Sequence, residues 1–276
     1  MTLKLELKNL DKTLHQGNLD KLIDSMVDHI GSVDPELRDT LIYNSFGKLI
    51  LEDYLTKDQL THIFEVCLEK LFMGIGQKED DSVFTRTFSA LVLVLILQKD
   101  RETRFLSQNQ LTQGFEGSIN YLKQEVDIRG HVDGKGWAHS IAHGADLLTA
   151  AISHPDFDLT LFHECLHTIK LCLFKESTRD IPYVDEEEER LIFAVEALQE
   201  KGITDQEIES LLLTISNQLI ELLEKEDYSL NFFWKKSNVI NFLRGYYFRL
   251  LFKNEGVKLR ETIAMILEQW HKRMYR

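Results

Sequence analysis

Residues 55–60 read LTKDQL, and the same pattern returns as LSQNQL at 106–111 and ITDQEI at 203–208. Each hexamer is an apolar residue, a Thr or Ser, two polar residues, a Gln or Glu, and a second apolar residue. That order is a capping box behind an apolar staple position. The hydroxyl of Thr56, Ser107 or Thr204 can accept from the N3 amide, while Gln59, Gln110 or Glu207 reaches back to the cap's own amide. Asp158 in FDLTLF offers a less complete version, with Phe157 and Phe162 placed as the staple. The caps at 56, 107, 158 and 204 stand 51, 51 and 46 residues apart. Chance supplies one such box; four at near-even spacing point to a repeat.

A second series of helix starts lies between these caps. DPELRDTLIYNSFGKLI offers Asp34 as cap and Pro35 at the first helical position. DDSVFTRTFSALVLVLIL starts near Asp80 or Asp81, GKGWAHSIAHGADLLTAAI near Gly136, and DEEEERLIFAVEALQEKG near Asp185 with Gly202 at its exit. A fifth pair follows, from about 235 and from about 257. Apolar residues recur at three and four, as in Leu60, Phe64, Cys67, Leu68 and Leu71, and no segment alternates as a strand would. Units of roughly 45–50 residues with two helices each have the dimensions of HEAT-like repeats. The expected fold is therefore all-α: a HEAT/ARM-like α-solenoid of about five stacked helix pairs, an α/α superhelix. It would form one domain over 1–276, with residues 1–33 capping the first unit. A compact irregular bundle is the competing architecture.

The bulk numbers fit a soluble, cytoplasmic globular protein. The chain of 276 residues is 43% hydrophobic and 28% charged, and only three prolines leave little room for long linkers. A formal net charge of -13 argues against general nucleic-acid binding, which needs a basic surface. The longest apolar run, Ala90 to Leu97, is too short to cross a bilayer, and the N-terminal stretch MTLKLELKNLDKTL has no signal-peptide core. Cys67, Cys165 and Cys172 form no CxxC and read as small buried hydrophobes.

Chemistry concentrates in DIRGHVDGKGWAHSIAHGAD, residues 127–146. On a helix from Trp137, the residues Ile141, Ala145, Leu148 and Ile152 form one stripe, and His139, His143 and Asp146 fall opposite at i, i+4 and i+7. The three can line a wet groove, join a small-molecule or peptide site, or hold a divalent metal, with Asp146 as ligand or orienter. No glutamate follows His139, so this is not a HExxH site. Trp137 is expected to pack between repeats. In the preceding loop, Asp127, Arg129, Asp133 and Lys135 sit among Gly130, Gly134 and Gly136; they can form the loop's own salt bridges, or Arg129 and Lys135 can serve an anion at the helix start while Asp133 pairs with either. His163 and His167 repeat the i, i+4 spacing but point away from their helix's apolar stripe, toward solvent.

The acidic run Asp185–Arg190 opens the corresponding helix of the next repeat, where its plain reading is dipole compensation on a solvated face. If first helices lie side by side, about 10 Å apart, Glu187, Glu189 and Arg190 would face Lys135, His139 and His143 across one groove. Arg86, Asn238 and Asn241 would extend that polar track.

DIRGHVDGKGWAHSIAHGAD, with VFTRTFSALVL upstream and EEEERLIFAVEAL downstream, resembles the bacterial family called domain of unknown function 2785 over roughly residues 30–275. The family motifs fall on Arg86, Arg129, Gly130, Lys135, Gly136, Trp137, His139, His143, Asp146, Glu189 and Arg190. The resemblance implies a shared pattern in this region and brings no activity, cofactor or substrate with it. The sequence-based expectation is a polar concave groove lined by Arg86, Arg129, Asp133, Lys135, Trp137, His139, His143, Asp146, Glu187, Glu189 and Arg190. It would bind a small polar ligand, a peptide or a protein. The alternatives are a metal-dependent hydrolase or lyase centred on His139, His143 and Asp146, and a purely structural interaction protein.

Overall fold

Thr56, Ser107 and Thr204 each close a full capping box. Their hydroxyls accept the amides of Gln59, Gln110 and Glu207 at 3.3 Å, and those side chains accept the cap amides at 2.9, 2.9 and 2.8 Å. Asp158 is the weaker member: its carboxylate accepts the Thr160 amide and starts a 3-10 turn, Leu159–Leu161, rather than an α-helix.

The computed structural model describes residues 2–16 and 18–275, whose regular structure is almost all helix. In chain order the helices are α1 (Leu3–Lys8), α2 (Leu10–Gln16), α3 (Leu19–Asp28), α4 (Asn44–Leu51), α5 (Lys57–Lys70), α6 (Ser82–Thr103) and α7 (Gln108–Gln124). A two-residue hairpin, β1 (His131–Val132) with β2 (Gly136–Trp137), precedes α8 (Ser140–Ser153). Then come α9 (Phe162–Leu173), α10 (Glu187–Glu200), α11 (Asp205–Glu226), α12 (Leu230–Lys253) and α13 (Val257–Tyr275). The helix expected from about 235 starts earlier, because Ser229 caps it by accepting the Phe232 amide.

The chain divides into two compact units, residues 1–157 and 158–276. In the first, α6 lies against α4, α5 and α8, and α7 lies against α8. By length and composition α6 could cross a membrane, but 72% of its apolar window is buried in the fold, as for a core helix. Gly144 lets α8 approach α7 closely: a Cβ there would stand 2.6 Å from Leu122 Cδ2. Asp34 caps the helical run before α4, accepting the Leu37 amide at 3.3 Å. That run begins as a π-helix, Glu36–Tyr43, a geometry often found at functional sites. In the second unit α12 packs on α10, α11 and α13, and α9 touches all of α10, α11 and α12. All three cysteines are buried; burial pushes the Cys67 thiol up to about 12 and that of Cys172 to about 11.

Candidate functional site

The helix expected from Gly136 starts four residues later. Two glycines of positive φ, Gly134 (72°) and Gly136 (78°), turn the chain into the hairpin, and the Gly130 carbonyl then accepts the amides of Ala138 and His139. Gly136 has a second reason to lack a side chain: a Cβ would meet Pro35 Cβ at 3.0 Å and Arg38 Nη2 at 3.2 Å. His139 is consequently the cap of α8, in the left-handed region (φ 48°), rather than a residue on its face. The apolar stripe itself is as expected, since Ile141, Ala145, Leu148 and Ile152 are all buried.

Three buried arginines hold this loop. Arg86 Nε and Nη2 donate to the Glu125 carboxylate at 2.7 and 3.0 Å, with both side chains fully buried. Nη1 of Arg86 also donates to the Met73 carbonyl and the Ser82 hydroxyl. Glu125 Oε1 additionally accepts the amides of Val126 and Asp127. Arg129 forms a fork on Asp127 at 2.8 and 2.6 Å and donates to the Asp80 carbonyl. Arg38 donates to the carbonyls of Ser32 and Lys135 at 2.6 and 2.7 Å, and its guanidinium lies over the rings of Phe84 and Phe88. Its Nε stands 2.7 Å from Asp39 Oδ1. Burial raises the Asp39 pKa against the opposing pull of Arg38. Bidentate pairs of this kind fix geometry as well as charge.

Two expected groove residues, Arg86 and Arg129, are thus scaffold; their guanidiniums are consumed by buried carboxylates. Asp133 pairs with neither Arg129 nor Lys135. Lys135 Nζ takes both oxygens of Asp81 at 2.7 Å, while Asp133 projects into solvent with His131 Nδ1 at 3.9 Å. Trp137 does not pack in a core either: it is 41% exposed.

What the scaffold presents is a row of rings. The Trp137 centroid lies 5.0 Å from His131 and 4.3 Å from His139; His139 is 5.7 Å from His143, His143 is 5.5 Å from Phe88, and Phe88 is 6.3 Å from Tyr43. His139, His143 and Asp146 are all half-buried. Asp146 adds negative charge near Tyr43, whose pKa is raised chiefly by burial and then by that charge. Among the described residues of this unit, no three His, Cys, Asp or Glu donors lie mutually within 4.8 Å. His139, His143 and Asp146 therefore do not by themselves close a three-donor metal site. The row suits stacking and hydrogen bonding with a planar or polar group.

The acidic run lies in the second unit. Glu187, expected on a solvated face, is 2% exposed; burial pushes its carboxyl up to about 7, and its Oε2 accepts the Asp185 amide at 3.0 Å. Glu188 is raised by burial in the same direction. Glu189 lies 4.0 Å from Arg249, and Arg190 is exposed with its guanidinium over Phe193. Asn238 is structural, its Oδ1 accepting the Tyr183 amide. His163 and His167 are exposed, as expected.

Sequence reasoning missed Arg38 and Glu125 as the supports, and Tyr43 and Phe88 as part of the ring row; the Arg129–Asp127 pair agrees with the reading of a loop held by its own salt bridges. The charged pair had no pattern to mark it, since each sits among other charged residues that ordinarily face water. Phe88 stands one helical turn after Phe84, a spacing that core packing alone explains.

A family model described as Protein of unknown function (DUF2785) matches residues 71–248, more than half of the chain. The chain belongs to that family, and the match covers α6, the hairpin loop, α8 and the acidic run. No curated protein and no solved structure matches it.

Proposed function

We propose that this is a helical-repeat binding protein, a HEAT-like α-solenoid whose Trp137 and flanking imidazoles receive a small polar ligand or a peptide. One observation carries the reading. A large aromatic ring stands exposed between two histidines on a loop immobilised by three buried arginine networks. Exposed indoles on rigid supports lose little entropy on binding, which is why preorganised aromatic residues recur in recognition surfaces. The repeat reading draws on the cap spacing and on bonds between side chains one repeat apart. Thr262–Glu209, Trp270–Ser216 and Arg249–Glu196 join residues 53, 54 and 53 positions apart. The net charge of -13 disfavours general binding to nucleic acid or to an anionic membrane surface.

A thermal-shift screen of small polar compounds and short peptides, run in parallel on wild type and Trp137→Ala, tests the proposal. At a hundredfold excess over Kd a ligand adds about 2.7 kcal/mol of stability to the wild type. That gain should largely vanish in the variant, whose own Tm should stay close to wild type because the ring is exposed. Ligands that stabilise both proteins equally would move the binding site elsewhere.

A further inference from the structure

The C-terminal helix pair carries a feature unrelated to the Trp137 loop. Lys236, Ile240 and Arg244 form one stripe of α12 at i, i+4 and i+8; Leu267, Trp270, His271 and Tyr275 face them from α13 across a cleft of about 90 Å³. By the same measure a single water needs about 10–15 Å³, so the cleft has room for a small organic group. No acidic residue lines it. Among the described residues, Lys236, Arg244 and His271 have no acidic partner, although the chain as a whole is strongly acidic. The Lys236 ammonium instead lies over the rings of Phe233 and Tyr275, at 5.8 and 5.9 Å from their centroids, and the His271 ring is 5.3 Å from that of Tyr275.

Helix-end dipoles account for neither Lys236 nor Arg244, which stand in the second turn and the interior of α12. Two cations and an imidazole kept without carboxylates around an apolar floor of Ile240 and Leu267, with Trp270 and Tyr275 at its sides, form a site for charge opposite to the protein's own. Lys236 and Arg244 stand about 12 Å apart along the helix, so a negative group at either end leaves space for a flat body over Ile240.

We propose that the cleft between α12 and α13 binds an anionic aromatic ligand, a ring bearing a phosphate or carboxylate group, through Lys236, Arg244 and His271 with Tyr275 and Trp270 as walls. Isothermal titration of the full chain with phenyl phosphate and with benzoate separates the two anion sources, with phenol and inorganic phosphate as controls. Saturable binding of at least one aromatic anion is expected, weakened at least tenfold by Lys236→Glu and by Arg244→Glu and retained by Lys236→Arg. Circular dichroism of each variant checks the fold. Arg244 is exposed, so its variant serves if Lys236→Glu unfolds the helix pair. Phenol binding as tightly as phenyl phosphate would reduce the site to an apolar crevice. Inorganic phosphate binding as tightly would reduce it to a charge patch. Either result, or an absence of saturable binding, or affinity unaltered by both charge reversals, would overturn the proposal.

Discussion

Arg86 shows how a single side chain can govern the loop without touching what the loop presents. It joins α6 to the end of α7 and, through the Met73 carbonyl, to the turn after α5. Arg86→Met should cost about 3–5 kcal/mol in urea denaturation, because Glu125 would be left as an uncompensated buried charge. Removing both partners, in Arg86→Met/Glu125→Leu, should recover only part of this, since Glu125 also accepts two backbone amides. A full recovery would mean that those amides find other acceptors. Glu187 acts on stability through pH. Its folded pKa of about 7 lies above the ordinary 4.5, so between those values the folded chain holds a proton that the unfolded chain has released. The stabilisation is complete below pH 4.5 and declines through pH 7, by an amount on the order of 3 kcal/mol in total. Glu188 shifts the same way and steepens the decline. Glu187→Gln should flatten the profile and be the more stable protein at pH 8; unfolding curves at pH 5 and pH 8 decide it, and an unchanged slope would clear Glu187 of the effect.

At the scale of elements, the three complete capping boxes supply the sharpest stability test. Thr56→Ala, Ser107→Ala and Thr204→Ala should each cost about 1 kcal/mol, read as a lower denaturation midpoint at constant slope. A near-zero cost at all three would mean that tertiary packing alone sets the helix starts. These boxes were legible in the sequence because a cap is a local event: donor, acceptor and staple lie within six residues. The α8 boundary was not legible, because the reason it falls at Ser140 is distant. Arg38, about a hundred residues upstream, captures the Lys135 carbonyl, and Pro35 blocks any side chain at Gly136. Trp137 was misplaced for the same cause, since a ring assigned to a helix face turned out to stand on a hairpin. Arg86 and Arg129 were correctly singled out as unusual, but a sequence cannot tell a guanidinium waiting for a ligand from one already held by Glu125 or Asp127. The ring row was half legible: the histidines and Trp137 lie close in the chain, while Phe88 and Tyr43 reach it only through the fold.

The whole chain is all-α and falls into two compact units, with its longest irregular connection, residues 174–186, inside the second. Tyr183 pins that connection through its hydroxyl to the Cys172 carbonyl, while Arg179 and Ile181 remain exposed. Limited trypsin digestion should therefore cut first after Arg179, because exposed loop backbone adapts to a protease where helix does not. First cuts within α6 or α12, read by mass spectrometry, would contradict this. The buried thiols have a practical consequence. With Cys67 in one unit and Cys165 and Cys172 in the other, none reachable from solvent, an alkylating reagent reacts only with molecules that have opened. The native chain is thereby a clock with two hands: alkylation at Cys67 times the loosening of residues 1–157, and alkylation at Cys165 and Cys172 times that of residues 158–276, with no label introduced.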